Sequence, residues 1–317
     1  MTIKLDIKDK KILQQLDKNS RQSFAKIGKK VGLSKNVVQY RVKELERKNV
    51  IQSYYTIINV AKLGFTYTRV YFNFHSLTKE NYKQMVDDFK AMPNLNWLGA
   101  GEGEWEFAAV FLTKNINEMS EIYRQIIDKY SKYIVDKDIS PAIRLHIFDQ
   151  NYAYFGKESS FVVVSGNSEI EKLDEKDLKI IEALQQSPKI KILELSQKVH
   201  LTPKIVSSRI KRLILEKFIL GFRYQLNHKI LGYDYCHIYF VLQNLTKQKR
   251  LHFIEYLKSI KNIFYITEGL GKYDIECEFM VQSQNELHSI ISNIEDKFPD
   301  LIRTYKSALI YEVYKAF

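Results

Sequence analysis

The stretch from residue 24 to residue 45 reads FAKIGKKVGLSKNVVQYRVKEL, and it returns at residues 192–213 as ILELSQKVHLTPKIVSSRIKRL. In both copies a short segment with helical apolar spacing is followed, after a two-residue break, by a longer one that opens with a hydroxyl residue, Ser34 or Thr202. A hydroxyl residue in that place is a typical helix N-cap. Two helices with so short a joint predict a helix-turn-helix, whose second helix enters the major groove of DNA.

The duplication covers most of the chain at a constant offset. Leu5 returns as Leu173, 168 positions later, and the same offset relates Gly101 to Gly269 and Asp128 to Asp296. A unit of this length is too long for a solenoid repeat, whose period is about 20 to 50 residues. The chain is therefore predicted to be a dimer fused into one polypeptide.

Each copy of the basic segment is predicted to contain three helices and a strand. The first helix begins at the N-caps Asp6 and Asp174, and the third carries Pro203 at its first position in the second copy. Two inward stripes on the third helices follow from the apolar spacing. They are Val38, Val42 and Leu45 in the first copy and Val206, Ile210 and Leu213 in the second. The β-branched and aromatic runs at 51–58 and 219–226 predict a wing strand.

The outer faces of the two third helices supply the candidate DNA-contacting residues, because amides, hydroxyls and cationic groups reach base edges or phosphates. These residues are Lys35, Asn36, Gln39, Tyr40, Arg41 and Lys43 in the first copy, and Lys204, Ser207, Ser208, Arg209, Lys211 and Arg212 in the second. Arg41 and Arg209 lie beside the core stripe. They either clamp phosphate or are held by packing or by an ion pair with a nearby acid.

The charge supports a polyanion as partner. Residues 1–64 contain 15 Lys and Arg against 5 Asp and Glu, and residues 173–232 contain 12 against 6. The two segments thus carry +10 and +6 of the net +12, so the remainder of the chain is acidic at −4. A basic excess confined to the start of each copy is typical of a nucleic-acid-binding module, here double-stranded DNA. A solvated lysine-rich helix surface is the alternative.

Length and composition bound the other possibilities. The 317 residues predict about two domains of ordinary size or more. No apolar run is long enough for a membrane span, and the first residues do not resemble a signal peptide, so a cytoplasmic protein without membrane attachment is expected. Cys236 and Cys277 have no metal-ligand spacing and are expected to be buried thiols. No metal and no cofactor is predicted.

The remaining two thirds of each copy follow a different pattern. In the first copy, strands are predicted at 67–74, 95–101, 104–112 and 134–148, and helices at 78–92 and 115–133. The order βαββαβ is the ferredoxin-like split βαβ motif. The second copy repeats it from Tyr235 to Tyr314. The predicted fold class is α+β, with two winged helix-turn-helix domains and two ferredoxin-like βαββαβ domains in tandem.

The domain order, with Gly271-Lys272-Tyr273-Asp274 at the second hairpin, resembles the leucine-responsive (Lrp/AsnC) family of transcription regulators. The resemblance implies that the βαββαβ domains dimerise through their sheets and that an effector, usually an amino acid, binds near the hairpins. By position the ligand candidates are Gly101, Gly103, Trp105 and Glu106, with Gly269, Gly271, Tyr273 and Asp274. The glycines have a purely conformational explanation as turn residues, and both aromatic rings have one as packing residues.

The chain departs from the family at two kinds of position. Where the family usually has Gly after the recognition helix, this chain has Asn49 and Lys217. The first hairpin reads Gly103-Glu104-Trp105-Glu106, with Trp and Glu in the places of Tyr and Asp. Since Trp and Glu differ from them in size and reach, one shared ligand for both hairpins is in doubt.

Two other functions fit the same architecture. Siroheme decarboxylases share it, but that resemblance calls for His and basic residues around the second hairpin, and residues 97–107 and 265–275 contain neither His nor Arg. The seven His residues show no partner spacing, so no enzyme is predicted. A small-molecule sensor or assembly protein that does not bind DNA is the other alternative, and the clustered basic charge argues against it.

The resulting prediction is a sequence-specific transcription regulator that acts as a single-chain pseudo-dimer, with further homo-oligomers left open. The predicted domains are a winged helix-turn-helix at 1–65, a ferredoxin-like domain at 66–148, a linker at 149–172, a second winged helix-turn-helix at 173–233 and a second ferredoxin-like domain at 234–317. Because a fusion frees the two recognition helices from being identical, half-sites of different sequence are expected.

Overall fold

The computed structural model describes residues 2–154, 156, 160–166 and 169–316. The first copy contains α1 (Ile7–Lys18), α2 (Phe24–Val31), α3 (Lys35–Arg47), β1 (Ile51–Ile58), β2 (Thr66–Phe74), α4 (Lys79–Ala91), β3 (Leu95–Gly103), β4 (Phe107–Thr113), α5 (Ile116–Tyr130) and β5 (Ile134–Phe148). The connecting segment contains α6 (Asn151–Tyr154) and β6 (Phe161–Ser165). The second copy contains α7 (Glu175–Gln186), α8 (Ile192–Lys198), α9 (Pro203–Leu215), β7 (Ile219–Leu226), β8 (Asp234–Leu242), α10 (Lys247–Lys258), β9 (Ile263–Gly269), β10 (Ile275–Val281), α11 (Gln284–Lys297) and β11 (Ile302–Ala316).

The chain forms two compact units, and each unit takes part of both copies. The helical unit consists of Met1–Leu63, Phe148–Val164 and Ile170–Tyr233. The sheet unit consists of Gly64–Ile147, Ser165–Glu169 and Asp234–Phe317. No helix in the described part of the chain combines the length and the apolar character that crossing a bilayer requires.

In the helical unit, each copy packs three helices around a small apolar core. The predicted N-caps are confirmed: the Asp6 carboxylate accepts the Asp9 N–H at 2.7 Å, and the Ser34 hydroxyl accepts the Val37 N–H at 3.3 Å. Such caps satisfy amide groups that a helix leaves without an internal partner. The predicted inward stripes are also buried, namely Val38, Val42 and Leu45, with Val206, Ile210 and Leu213.

The joint between the second and third helices is as short as the sequence predicts. Gly32 ends α2 in the left-handed conformation, with φ 68°, and the Leu33 N–H returns to the Gly28 carbonyl at 3.0 Å. A Cβ on Gly28 would lie 2.4 Å from the Leu33 oxygen, so a larger residue there would require the joint to shift. The equivalent residue of the second copy is Ser196. The second copy makes the same turn with His200, a non-glycine residue at φ 55°. Backbone shape is thus repeated where residue type is not.

The strands that follow the third helices lie where the sequence predicts them, but their partner was not predicted. β1 pairs antiparallel with β7, in a register that places Tyr54 opposite Tyr224. A strand needs a partner for its backbone N–H and C=O groups, and in this chain each copy supplies the other's. The two helix-turn-helix copies are therefore joined through a two-stranded ribbon.

In the sheet unit both βαββαβ motifs are present in the predicted order. Eight of its strands follow the order β2-β4-β3-β11-β8-β10-β9-β5, and β2 also pairs with β5. That last pairing closes eight strands into a ring, which leaves them without an open edge. The ring has two junctions between the copies, β3 with β11 and β5 with β9, both antiparallel.

The helices of the sheet unit cover the outer surface of the ring. In the first copy, Phe72, Phe107 and Phe111 on the strands pack with Phe89 of α4 and Met119 of α5 in one buried cluster. Side chains alternate along a strand, so the neighbours of these residues point to the interior of the ring. That interior contains Tyr71 and Tyr239, both completely buried.

Positive φ angles confirm the repeat at the level of the backbone. Among the described residues, they fall at pairs of positions related by the 168-residue offset. The pairs are Gly32 and His200, Asn49 and Lys217, Gly64 and Gly232, Ser76 and Asn244, and Gly103 and Gly271. Three of the pairs include a residue other than glycine, which is unusual because the left-handed region is strained for such residues.

The segment between the copies adds a polar cluster to the helical unit. The Asp17 carboxylate is completely buried and accepts the Gln150 N–H at 2.6 Å and the Tyr154 hydroxyl at 2.8 Å. Arg223 of β7 donates to Asp149 at 2.9 Å and lies 3.8 Å from Asp17. The second copy has Gln185 in the place of Asp17. The start of the connecting segment is thus held by Asp17 of the first copy and by Arg223 of the second.

Candidate nucleic-acid interface and hairpin cluster

The outer face of α3 carries most of the predicted residues of the first copy together. Lys35, Asn36, Tyr40 and Lys43 are exposed, with Tyr40 66% exposed, while Gln39 is half-buried. The Ser34 cap fixes the start of the helix, so these side chains have a defined direction. An exposed aromatic ring beside an amide and two ammonium groups is suited to contact with both bases and phosphates.

The outer face of α9 is arranged in the same way with different chemistry. Lys204, Ser208, Lys211 and Arg212 are exposed, and Ser207 is half-buried. Ser207 and Ser208 occupy the positions that Gln39 and Tyr40 occupy in the first copy. Short hydroxyl groups reach less far from the helix than Gln and Tyr, so the two copies present different groups from the same backbone position.

For Arg41 and Arg209 the sequence allowed a phosphate contact, packing or an ion pair, and in the structure both are in ion pairs. Arg41 lies 2.7 Å from Asp6 and 2.8 Å from Asp9 at the start of α1. Arg209 repeats both contacts at 2.6 Å with Asp174 and 2.9 Å with Asp177. Each arginine therefore ties the third helix to the N-terminus of the first.

Arg212 shares one of those acids. Its guanidinium contacts Asp177, whose carboxylate is 1% exposed, and lies 3.8 Å from Glu216. Residue 44, at the equivalent position of the first copy, is Glu44, which pairs with Arg47. The charge at this position of the third helix is therefore opposite in the two copies.

Three lysines on α2 were not among the predicted contact residues. Lys26, Lys29 and Lys30 are exposed on the helix that precedes α3. Their equivalents in the second copy are Glu194, Gln197 and Lys198. The basic excess of residues 1–64 already indicated further cationic residues near α3. Which side of α2 is exposed, however, follows only from the packing of that helix. The difference places more positive charge beside α3 than beside α9.

The glycines of the hairpins lie where a strand of the other copy approaches. A Cβ on Gly101 would lie 2.7 Å from the Leu309 carbonyl oxygen, and one on Gly103 would lie 2.3 Å from that of Ser307. The same holds at the other junction, where a Cβ on Gly269 would lie 2.9 Å from the Ser140 hydroxyl. Gly271 has φ 136°. Close approach and conformation account for these glycines without a ligand.

The other candidate ligand residues are engaged within the protein. Trp105 is 2% exposed and Tyr273 is completely buried. Tyr273 donates its hydroxyl hydrogen to Glu104 at 2.5 Å, so the tips of the two hairpins meet. Glu106 accepts the Phe74 N–H at 3.0 Å. Asp274 accepts the Leu242 N–H at 2.8 Å, which is the equivalent contact in the second copy. Both acids thus secure the end of a neighbouring strand.

A buried ionisable cluster lies inside the ring, and it was not predicted from the sequence. Arg69 Nε is 3.3 Å from Glu276 Oε2, and His237 Nε2 is 3.4 Å from the same oxygen. Tyr71 donates to Glu276 at 2.5 Å. A usable signal was the spacing of polar residues two apart on predicted strands, as in Glu276 and Glu278, which places them on one face of a strand.

The charge state of this cluster is set by its contacts. Burial by itself would raise the pKa of Glu276, but the charge of Arg69 and the contacts from His237 and Tyr71 outweigh it and lower the pKa to about 2. The carboxylate is therefore an anion at neutral pH. Among the residues that the structure describes, no group of three His, Cys, Asp or Glu side chains could hold a metal ion.

Two family models match the helix-turn-helix segments. One, described as winged helix-turn-helix DNA-binding, matches residues 5–52. The other, the AsnC-type helix-turn-helix domain, matches residues 173–214. The two matches begin at Leu5 and Leu173, which are related by the 168-residue offset.

A solved structure shares the fold over almost the whole chain. It is the siroheme decarboxylase NirDL, with a TM-score of 0.66, and the match covers 98% of this chain and 93% of that one. The sequences are 12% identical. At that identity the likeness shows a common fold and carries no statement about activity.

Curated relatives match one part of the chain at a time. The proline dehydrogenase transcriptional activator of Rhizobium radiobacter is 34% identical over 105 residues, which are 33% of this chain and 66% of that protein. The HTH-type transcriptional regulator LrpA of Pyrococcus horikoshii is 31% identical over 141 residues, which are 44% of this chain and 96% of that protein. With a relative of this identity matched over nearly its whole length, and with an AsnC-type domain in the second copy, the chain belongs to the Lrp/AsnC family of transcription regulators.

Proposed function

We propose that the chain is a sequence-specific DNA-binding regulator that acts as a single-chain pseudo-dimer and reads two half-sites of different sequence. The observation that carries the proposal is the pair of exposed recognition faces on α3 and α9, which have the same backbone and different side chains. The β1–β7 ribbon supports a fixed spacing of the two helices, because it joins the two copies directly. In dimers of this type, the spacing of half-sites follows the spacing of the recognition helices.

The difference between the half-sites is assigned to two positions. Gln39 offers both a donor and an acceptor, which suits adenine, while Ser207 at the equivalent place accepts either role. Tyr40 adds an exposed ring where Ser208 adds a hydroxyl. We expect the α3 half-site to be the more strictly defined one. A good bidentate contact is worth about 1–3 kcal/mol of discrimination.

Selection of bound fragments from a random DNA pool tests the proposal. The full chain is expected to select an asymmetric pair of half-sites at one fixed separation. Gln39→Ser with Tyr40→Ser is expected to relax the sequence at one half-site and leave the other unchanged. Ser207→Ala with Ser208→Ala is the matched control for the second half-site. An equal loss at both half-sites after either change would contradict the assignment.

The first copy is proposed to supply more of the sequence-independent affinity. Changing Lys26, Lys29 and Lys30 to Gln in the full chain should reduce the slope of log affinity against log salt by up to about 2.7, at about 0.9 for each lost phosphate contact. Changing Lys198 to Gln, the one lysine at the equivalent positions, should reduce it by about 0.9 at most. If the two variants change the slope equally, the basic faces of the two copies do not differ in their contribution to the sequence-independent affinity.

The proposal also includes modulation by an amino-acid effector that binds at the hairpins. Its support is the meeting of Glu104, Lys272 and Tyr273 at one place, where a ligand with both an ammonium and a carboxylate group would find a partner for each. Calorimetric titration of the full chain with the standard amino acids tests it. Binding that is lost in Lys272→Met would support the location, and an absence of heat with all of them would remove this part of the proposal.

A tetrapyrrole decarboxylase activity is the second candidate. The observations in its favour are the fold shared with the siroheme decarboxylase and the buried group formed by Arg69, His237 and Glu276. Against it, aromatic side chains occupy the space beside that group, with Tyr71 stacked on Trp105 at 5.5 Å and His237 on Tyr239 at 4.2 Å. Incubation with siroheme, followed by mass analysis for loss of carbon dioxide, separates this candidate from the regulator.

A further inference from the structure

The ring of the sheet unit is assembled from both copies, which meet at the β3–β11 and β5–β9 junctions. Among the residues that the structure describes, three groups of opposite charges join the copies inside or beside the ring. In each group an acid of one copy contacts a base of the other. The residue at the equivalent position of the other copy does not repeat the charge.

The first group is the buried cluster around Arg69. Its guanidinium belongs to the first copy, while Glu276 and Glu278, at 3.3 Å and 4.0 Å, belong to the second. Ser140 of the first copy also donates to Glu276, at 2.8 Å. At the positions equivalent to Glu276 and Glu278 the first copy has Ala108 and Val110, and at the position of Arg69 the second has His237.

The second group lies at the β5–β9 junction. Arg144 and His146 of the first copy each lie 3.1 Å from Glu268 of the second. Glu268 is 4% exposed. The equivalent of Glu268 is Ala100, and the equivalents of Arg144 and His146 are Glu312 and Tyr314. The basic side of this contact is again the first copy.

The third group joins two positions that are equivalent to each other. Lys272 Nζ lies 2.8 Å from Glu104 Oε1, and the two residues are 168 positions apart. A residue that contacts its own equivalent lies on the axis that relates the copies. In an assembly of two identical halves, such a residue would face an identical residue, so Glu would meet Glu or Lys would meet Lys.

Pairing of two first copies would therefore bring incompatible side chains together at all three groups, and pairing of two second copies would do so at the last two. Two first copies would set Arg69 against alanine and valine, Arg144 against alanine, and Glu104 against Glu104. Two second copies would set Glu268 against Glu312 and Lys272 against Lys272. A buried charge without a counter-ion is strongly disfavoured, and like charges in contact repel.

We propose that the surface through which each βαββαβ motif contacts the other, at the two junctions and inside the ring, accepts only the unlike copy. The three charge groups determine this choice of partner. The partner that fits the first copy is a surface with carboxylates at the positions of Glu268 and Glu276 and an ammonium group at that of Lys272. The inference is independent of DNA binding, since all of these residues lie in the sheet unit.

Exchange of the axial pair is the first test, and it uses the full chain. Glu104→Lys creates a Lys–Lys contact and Lys272→Glu creates a Glu–Glu contact, while the double exchange restores opposite charges. Urea unfolding is followed by tryptophan fluorescence, which reports on the sheet unit because Trp97 and Trp105 are the two tryptophans of the chain. Glu102→Lys makes the same charge change two residues away and serves as the control.

Each single variant is expected to raise the unfolding equilibrium constant about fivefold or more relative to the control, and the double exchange to return it to within about twofold of the original chain. A double exchange that is no more stable than the worse single variant would overturn the proposal. So would single variants that behave like Glu102→Lys.

The buried group supplies an independent second test. Glu276→Ala leaves Arg69 without its nearest carboxylate and is expected to destabilise the sheet unit. The mirror variant moves the pair to the equivalent positions by combining Glu276→Ala with Ala108→Glu, Arg69→His and His237→Arg. If the copies choose each other by charge, the mirror variant recovers most of the lost stability. If the mirror variant is no more stable than Glu276→Ala, the charged pair stabilises the unit only at its original positions, and the proposal fails.

Discussion

Replacement of Lys217 by glycine is expected to stabilise the protein. Lys217 follows α9 with φ 59°, in the left-handed region, and its side chain is exposed. Its N–H donates to the Ile214 carbonyl at 3.1 Å, a bond that glycine retains. The substitution therefore removes backbone strain and no buried contact.

The magnitude follows from two opposing terms. The left-handed conformation costs a non-glycine residue about 1–2 kcal/mol. Glycine loses more conformational freedom on folding, which costs about 0.5–1 kcal/mol. The difference predicts a gain of about 0.5–1 kcal/mol in the free energy of unfolding, which raises Tm by about 1–4 °C for a unit of this size. Asn49→Gly at the equivalent position should gain less, because asparagine tolerates this conformation better than lysine.

Urea unfolding of the full chain, followed by far-ultraviolet circular dichroism, measures the effect. Lys211→Gly is the matched control, because it makes the same substitution inside α9, where the backbone is helical and glycine costs about 1 kcal/mol. The expected order of stability is Lys217→Gly, then the original chain, then Lys211→Gly. A loss of stability in Lys217→Gly similar to that in the control would refute the reasoning.

Three further outcomes are expected from the contacts described above. The pKa of Glu276 is lowered to about 2, so the contribution of its carboxylate to stability is complete above about pH 5 and is lost as the pH falls towards 2. Glu276→Gln should therefore flatten a plot of unfolding free energy against pH over that range. Gly103→Ala should destabilise the β3–β11 junction by about 1–3 kcal/mol for strain alone, whereas Gly221→Ala, whose added Cβ would meet only Ile57 at 3.7 Å, should change thermal stability little. Arg209→Ala should cost about 2 kcal/mol in urea unfolding, because the nearly buried Asp177 loses a charged hydrogen bond, and a neutral result would show that Arg212 suffices to hold that carboxylate.

The duplication explains how the two copies came to differ in their side chains and not in their backbone. Cores, caps and positive-φ positions recur at the repeat offset, because each copy must fold to the same shape. The outer faces of α3 and α9 and the junction residues differ, as Gln39 differs from Ser207 and Arg69 from His237. Joining the copies in one chain frees these positions from the requirement of being identical.

The local elements were predictable because their causes are local. Apolar spacing, hydroxyl and carboxylate caps, and short breaks determine where α3 and α9 begin and which faces they bury, and the structure confirms both. The sequence also indicates that the hairpin glycines are turn residues, but the second reason for them, the close approach of β11 and β5, involves residues far away in sequence.

The sequence by itself determined the helix-turn-helix segments, the two βαββαβ motifs and the uneven charge, since each depends on residues close together in the chain. It also determined the repeat, because a constant offset is found by comparing residue types without any knowledge of contacts. Only the tertiary structure decided that β1 pairs with β7, that eight strands close into a ring, and that Arg69, Arg144 and Lys272 meet acids from the other copy. Those outcomes depend on which strand edges and charges come together after folding. Periodicity carries no information about partners that lie more than a hundred residues away.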